Sequence, residues 1–195
     1  IEAYTNRPIW PQGLTAPTDT PPVPDTLKWD LFIGPAKFRP YNPAFHPWVW
    51  RGWWDYGTGA LGDMACHVMH PIFTAMKLQY PTKVIGSSTP VMPDSAPNAE
   101  IVHLVYPERK KPKDIKINLP EVQVSWYDGG LKPQFPENWP AARNQSSGVI
   151  FHGTKDSLIC GEYGSDPALL SGRVPDVPKT LRRIEVSHEQ DWILA

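Results

Sequence analysis

Hydrophobic and polar positions change their rhythm near residue 81. Before it, the stretch 60–79 repeats apolar residues at helical spacing: Leu61, Ala65, Val68, Ile72 and Met76 fall on one stripe. Pro71 interrupts this helix, because it cannot donate to the carbonyl of His67, so a kink or a restart is expected there. After Pro81 the period becomes two. Strands are predicted at 83–88, 100–106, 115–118, 122–127, 148–152, 157–161 and 181–186, divided by Pro-, Gly- and Asp-containing turns. Residues 1–9 read as a short strand followed by a proline-set turn. The segment 130–147, rich in Pro, Trp and Asn, reads as a surface loop. The last nine residues, SHEQDWILA, open a further helix, with Ser187 as N-cap and Gln190 at the capping-box position.

Short connections between period-two segments imply antiparallel pairing. The predicted fold is α+β: an open, mostly antiparallel sheet with one main helix packed on one face. Residues 10–50 show no periodicity, yet carry Trp29, Phe32, Phe38, Tyr41, Phe45, Trp48 and Trp50. So many aromatics argue against disorder. They predict an ordered loop, stiffened by proline, that packs on the rest of the domain.

Composition sharpens this picture. Among 195 residues, 24 are Pro and 9 are Trp, which favours long ordered loops around a sheet over a helical bundle. Tryptophan faces either fill cores or stack on sugar rings. The net charge of −1, without a basic stripe, argues against nucleic-acid binding. The one basic run, 108–114, reads as a solvated turn. No apolar run reaches the roughly 18–20 residues of a membrane-spanning helix. Cys66 and Cys160 form neither a disulfide framework nor a CxxC metal site.

The candidate chemistry lies in WRGWWDYGTGALGDMACHVMH, residues 50–70. Asp63 and His67 stand four apart, on one helical face distinct from the apolar stripe. A carboxylate beside an imidazole suits a general base; the same spacing also describes an ordinary surface pair. His70 could extend the pair into a metal edge, but Pro71 distorts the geometry and no ligand cluster accompanies it. Residues 57–62 spell G-x-G-x-x-G. They follow Trp53-Trp54-Asp55-Tyr56 and not a buried strand, so a dinucleotide fingerprint is rejected.

The run WRGWWDYGTGALGDMACHVM, preceded by TNRPIWPQG and FIGPAKFRPYNP, resembles the C-terminal domain of the Gfo/Idh/MocA oxidoreductases, relatives of glucose–fructose oxidoreductase and inositol dehydrogenase. Gly59, Gly62, Asp63 and His67 match the family's Gly-rich turn and Asp-x-x-x-His helix start. GVIFHGTKDSLICGEYG resembles its strand–turn–strand segment. The resemblance implies one domain over 1–195, the substrate-binding and catalytic part of an NAD- or NADP-dependent enzyme acting on a sugar or cyclitol hydroxyl. It also implies that the nucleotide is held mainly by an N-terminal Rossmann domain outside this chain, together with the catalytic lysine of a Glu-Lys-Pro motif, and that further sheet and helix segments follow residue 195. His67 would be the acid/base, and Asp63 would orient it or bond the substrate. The glycines would let the backbone turn tightly beneath nicotinamide and substrate. Arg7, Trp10, Trp53, Trp54 and Tyr56 would form the sugar-facing wall, each with core packing as its alternative. Homo-oligomers paired through the sheet are expected. The rivals are a redox-neutral NAD-dependent glycosidase and a non-catalytic carbohydrate-binding module. A bacterial setting is implied, periplasmic or cytoplasmic.

Overall fold

A computed structural model describes residues 1–113, 115–140, 146–178, 180 and 183–195. Its frame is a seven-stranded sheet: β1 (Glu2–Thr5), β2 (Lys83–Ser88), β3 (Glu100–Tyr106), β4 (Val122–Tyr127), β5 (Ser147–His152), β6 (Ser157–Cys160) and β7 (Ala168–Leu169). The spatial order is β2-β3-β4-β1-β5-β6-β7. Every neighbouring pair is antiparallel except β1 with β4, which run parallel with Glu2 opposite Ser125. The first strand of the chain therefore fills the centre of the sheet, which explains why Ala3, Tyr4 and Thr5 are all buried.

The helix restarts as expected. α2 (Gly59–Val68) and α3 (His70–Met76) follow α1 (Trp29–Ile33), with Met69 between α2 and α3 and Pro71 near the start of α3. There a missing N–H removes no helical hydrogen bond. Ala60, Met64, Val68 and Ile72 carry the buried stripe, while Leu61, Ala65 and Met76 flank it. They pack on Ala3, Val102, Val124, Trp126, Val149 and Cys160, one face of the sheet. On the other face Tyr4, Ile150 and Ile159 meet Phe135 and Trp139. The excursion after β4 thus covers part of that face; its residues 141–145 lie outside the described residues.

Three expectations need correction. Residues 115–118 form no strand. They lie in the loop closed by an isolated bridge between Arg109 and Leu119; Ile115 N donates within the loop to Pro112 O at 2.9 Å, no strand among the described residues pairs with them, and Ile117 is 65% exposed. Of the predicted strand at 181–186, residues 183–186 are irregular, and 181–182 lie outside the described residues. The loop 10–50 is not devoid of regular structure. It holds α1 and two 3₁₀ turns, Pro43–Phe45 and Val49–Gly52. Trp29, Ile33, Phe45 and Trp53 form a separate small core beneath them. At the other end, α4 (His188–Leu194) is capped as predicted, with the Gln190 N–H donating to the Ser187 hydroxyl at 3.3 Å.

Candidate functional site

Gly59 begins α2 at φ +67°, in the left-handed region, and a Cβ there would overlap the side chain of Ala96. A Cβ at Gly57 would strike the backbone of Arg51. The close approach of the chain to itself is what requires glycine at these two positions. The approach lays the 3₁₀ turn holding Arg51 against the start of α2.

The consequence is a pairing across 12 residues. Arg51 Nε lies 3.4 Å from Asp63 Oδ1, both side chains about one quarter exposed. The guanidinium sits 5.0, 5.1 and 5.8 Å from the ring centres of Trp50, Trp48 and Trp10, and its Nη1 donates to Trp48 O at 3.0 Å. Trp10 and Trp48 meet edge to face at 5.7 Å. An arginine held by cation–π contacts thus presents its charge to the helix carboxylate.

His67 follows one turn later, half-buried, with Tyr163 against its ring at 5.2 Å between centroids. Tyr163 adopts φ +59°, an uncommon conformation for a residue with a side chain, inside the 3₁₀ turn Glu162–Gly164. No hydrogen bond joins Asp63 to His67. The carboxylate is turned to Arg51, so the expectation that Asp63 orients His67 directly gives way to an Arg51–Asp63 unit beside it.

The expected aromatic wall divides. Trp53 is 1% exposed, with its indole N–H bonded to Ala44 O at 2.7 Å, and Trp10 is 5% exposed, bonded to Gln12 at 2.7 Å. Both are packing residues, and neither has a free face for a sugar. Trp54 is exposed and donates to Met92 O at 3.3 Å. Arg7 stands at the end of β1. Its carbonyl accepts from Gly129 N at 2.6 Å and its guanidinium donates to Asn6 at 3.1 Å.

Tyr56 lines an open cleft of about 670 Å³ with Phe32, Ile33, Trp50 and Asp55. Its hydroxyl oxygen is buried with no hydrogen-bond partner. Burial raises its pKa, with the nearby Arg39 charge opposing and Asp55 adding to the rise. Asp55 is paired with Arg39 at 2.6 Å. Trp50 belongs to both places, lining the cleft and packing on Arg51. Sequence reading missed Arg51, Trp50, Asp55 and Tyr163. An arginine flanked by tryptophans was the one local signal for the first two.

A second polar cluster closes the sheet beside Arg7. Asp128, 1% exposed, accepts from Trp126 Nε1 at 3.0 Å and from Glu100 N at 2.7 Å. Burial, then the Asp128 charge, then a hydrogen bond to Asp128 raise Glu100 to about 7. Burial raises Asp128 as well, so the pair keeps a proton up to about pH 7 and releases it above that. Among the described residues, no three His, Cys, Asp or Glu side chains converge as a metal site.

An open, mostly antiparallel sheet backed on one face by α2 and α3 is an α+β fold. Residues 5–107, just over half of the chain, match the Gfo/Idh/MocA oxidoreductase family at its C-terminal alpha/beta domain, and the chain belongs to that family. No curated protein matches it.

Proposed function

We propose that this domain binds and positions a sugar or cyclitol for NAD(P)-dependent oxidation of one hydroxyl, working with a nucleotide-binding domain. The observation that carries the reading is the start of α2. In a chain of an oxidoreductase family, it presents His67 beside a carboxylate already neutralised by Arg51.

The balance is simple. A secondary alcohol loses a hydride from carbon and a proton from oxygen to become a ketone. Bound nicotinamide supplies the hydride acceptor; the residues of this chain handle the proton and the ring. A neutral His67 imidazole takes the hydroxyl proton, which requires hydrogen-bond reach to the substrate. Tyr163 limits the positions open to the imidazole from one side. Arg51 occupies Asp63, so the His67 imidazole donates no N–H to that carboxylate and its acceptor nitrogen must be oriented by other contacts, Tyr163 among them.

For the substrate wall we substitute Trp50 and Tyr56 for the buried Trp10 and Trp53. The cleft offers aromatic faces to the C–H faces of a ring. Asp55 has acceptor capacity beyond its Arg39 bond and suits a sugar hydroxyl, whereas the buried Tyr56 hydroxyl would need its side chain to turn before reaching one.

The test uses the intact protein. Denaturation should release NAD(H) or NADP(H), or added nucleotide should bind. A sugar and cyclitol screen should then yield reduced nucleotide that His67→Ala abolishes. If neither nucleotide binds, the reading falls.

A further inference from the structure

The opposite end of the helical layer carries a separate concentration of positive charge. α3 ends at Met76, and Lys77 turns the chain in the left-handed conformation, φ 49° and ψ 45°. Facing it, the β3–β4 connection is pinched by two backbone hydrogen bonds, Arg109 N to Leu119 O at 2.8 Å and Leu119 N to Arg109 O at 2.9 Å. This neck fixes the backbone of Arg109. Its side chain then reaches to α3: Nε donates to Met76 O at 3.2 Å, and Nη1 donates to Pro107 O.

The third nitrogen is different. Arg109 is 8% exposed, and Nη2 is buried with no hydrogen-bond partner. No carboxylate among the described residues pairs with it. A buried guanidinium without a counter-ion is unfavourable, and the burial lowers the Arg109 pKa accordingly. Around it lies an open cleft of about 570 Å³ lined by Lys77, Lys110, Lys113 and Phe73, with Glu108 as its one carboxylate among the described residues. Among the described residues, four cations against one anion gather here in a chain whose net charge is −1. The helix end does not oppose an anion strongly, because Met76 O is bonded to Arg109 and Phe73 O accepts from the N–H groups of Lys77 and Leu78.

We propose that this cleft binds a small polyvalent oxyanion, phosphate or sulfate, free or carried on a small molecule, through Arg109 with Lys77, Lys110 and Lys113. A guanidinium with an unused N–H matches a tetrahedral oxyanion, and three lysines favour more than one negative charge. The cleft has one aromatic ring and no aromatic ladder, so it lacks the stacking that binds nucleic-acid strands. It lies at the C-terminal end of α3, whereas Asp63 and His67 lie on α2. Its occupancy is therefore independent of the oxidoreductase reading.

Thermal unfolding of the intact protein, with phosphate added at constant ionic strength against chloride, tests this. Saturable stabilisation by phosphate and sulfate, but not acetate, is expected. The variant Lys77→Ala/Lys110→Ala/Lys113→Ala removes three exposed or partly exposed charges and no core contact. It should fold normally and bind phosphate at least tenfold more weakly. Arg109→Lys keeps a positive charge on the same backbone but loses the guanidinium fork, and should also weaken binding. Glucose 6-phosphate identifies the source: tighter binding than phosphate assigns the site to a phosphorylated small molecule, equal binding to the free anion. Stabilisation no greater than that of chloride, or equal in wild type and triple variant, overturns the proposal.

Discussion

Asp63 is bound to Arg51 at 3.4 Å, across 12 residues of chain, and not to His67 four residues along its own helix. The spacing that singles out the pair in sequence is real, but the carboxylate serves the tryptophan-flanked arginine. This divides the roles of Asp63 and His67 and makes them separable by experiment.

His67→Ala should lower kcat of the intact enzyme by about 10²–10⁴, the range for a lost general base. Sugar binding, followed by tryptophan fluorescence, should stay within a few-fold of wild type. A non-catalytic carbohydrate-binding module would show the same retained binding with no turnover to lose.

Arg51 and Asp63 should couple. A double-mutant cycle with Arg51→Met and Asp63→Asn should give about 0.5–1 kcal/mol of interaction in urea unfolding, modest because both side chains are partly exposed. Arg51→Lys should recover less than half of the coupling, since an ammonium does not reproduce the planar contact with Trp48 and Trp50.

Neighbouring tryptophans should behave oppositely. Trp53→Ala empties the small core beneath the 10–56 excursion and should cost about 3–5 kcal/mol by denaturant unfolding. Trp54→Ala, at an exposed position, should cost less than about 1 kcal/mol.

Gly59→Ala should destabilise by about 1–3 kcal/mol, because it places a side chain at φ +67° and against Ala96. The loss should appear in the melting temperature, and kcat should fall with it, since the start of α2 must shift.

The Glu100–Asp128 pair sets a pH dependence. Folding raises Glu100 from 4.5 to about 7, so between these values the folded state holds more protons than the unfolded state. Stability from this group is full below pH 4.5 and is lost as pH rises to about 7. Glu100 is only partly buried, which reduces the effect to about 1–2 kcal/mol. Burial raises Asp128 in the same direction, whereas Asp156 and Glu189 are lowered and act oppositely, so the measurement is the difference between wild type and Glu100→Gln. The variant should lose the downward slope between pH 5 and 7.

The sequence determined the elements whose residues announce their own environment. Alternation located β2, β3 and β4 to the residue, since in a strand successive side chains face opposite ways. Helical spacing located α2 and α3, Pro71 located the break, and Ser187 the final cap. The Asp63–His67 spacing was legible for the same reason: four residues make one turn.

Tertiary structure decided what depends on distant partners. The sequence 115–118 alternates like a strand, yet no neighbouring strand offers it hydrogen bonds. Ala168–Leu169 is too short to announce itself, yet pairs with β6. Trp53 and Trp54 are adjacent and chemically identical, but the turn before α2 sends one inward and leaves the other exposed. Arg51 reaches Asp63 only because Gly57 and Gly59 let the intervening chain double back. A charge finds its partner, and a ring its burial, through contacts that local periodicity does not encode.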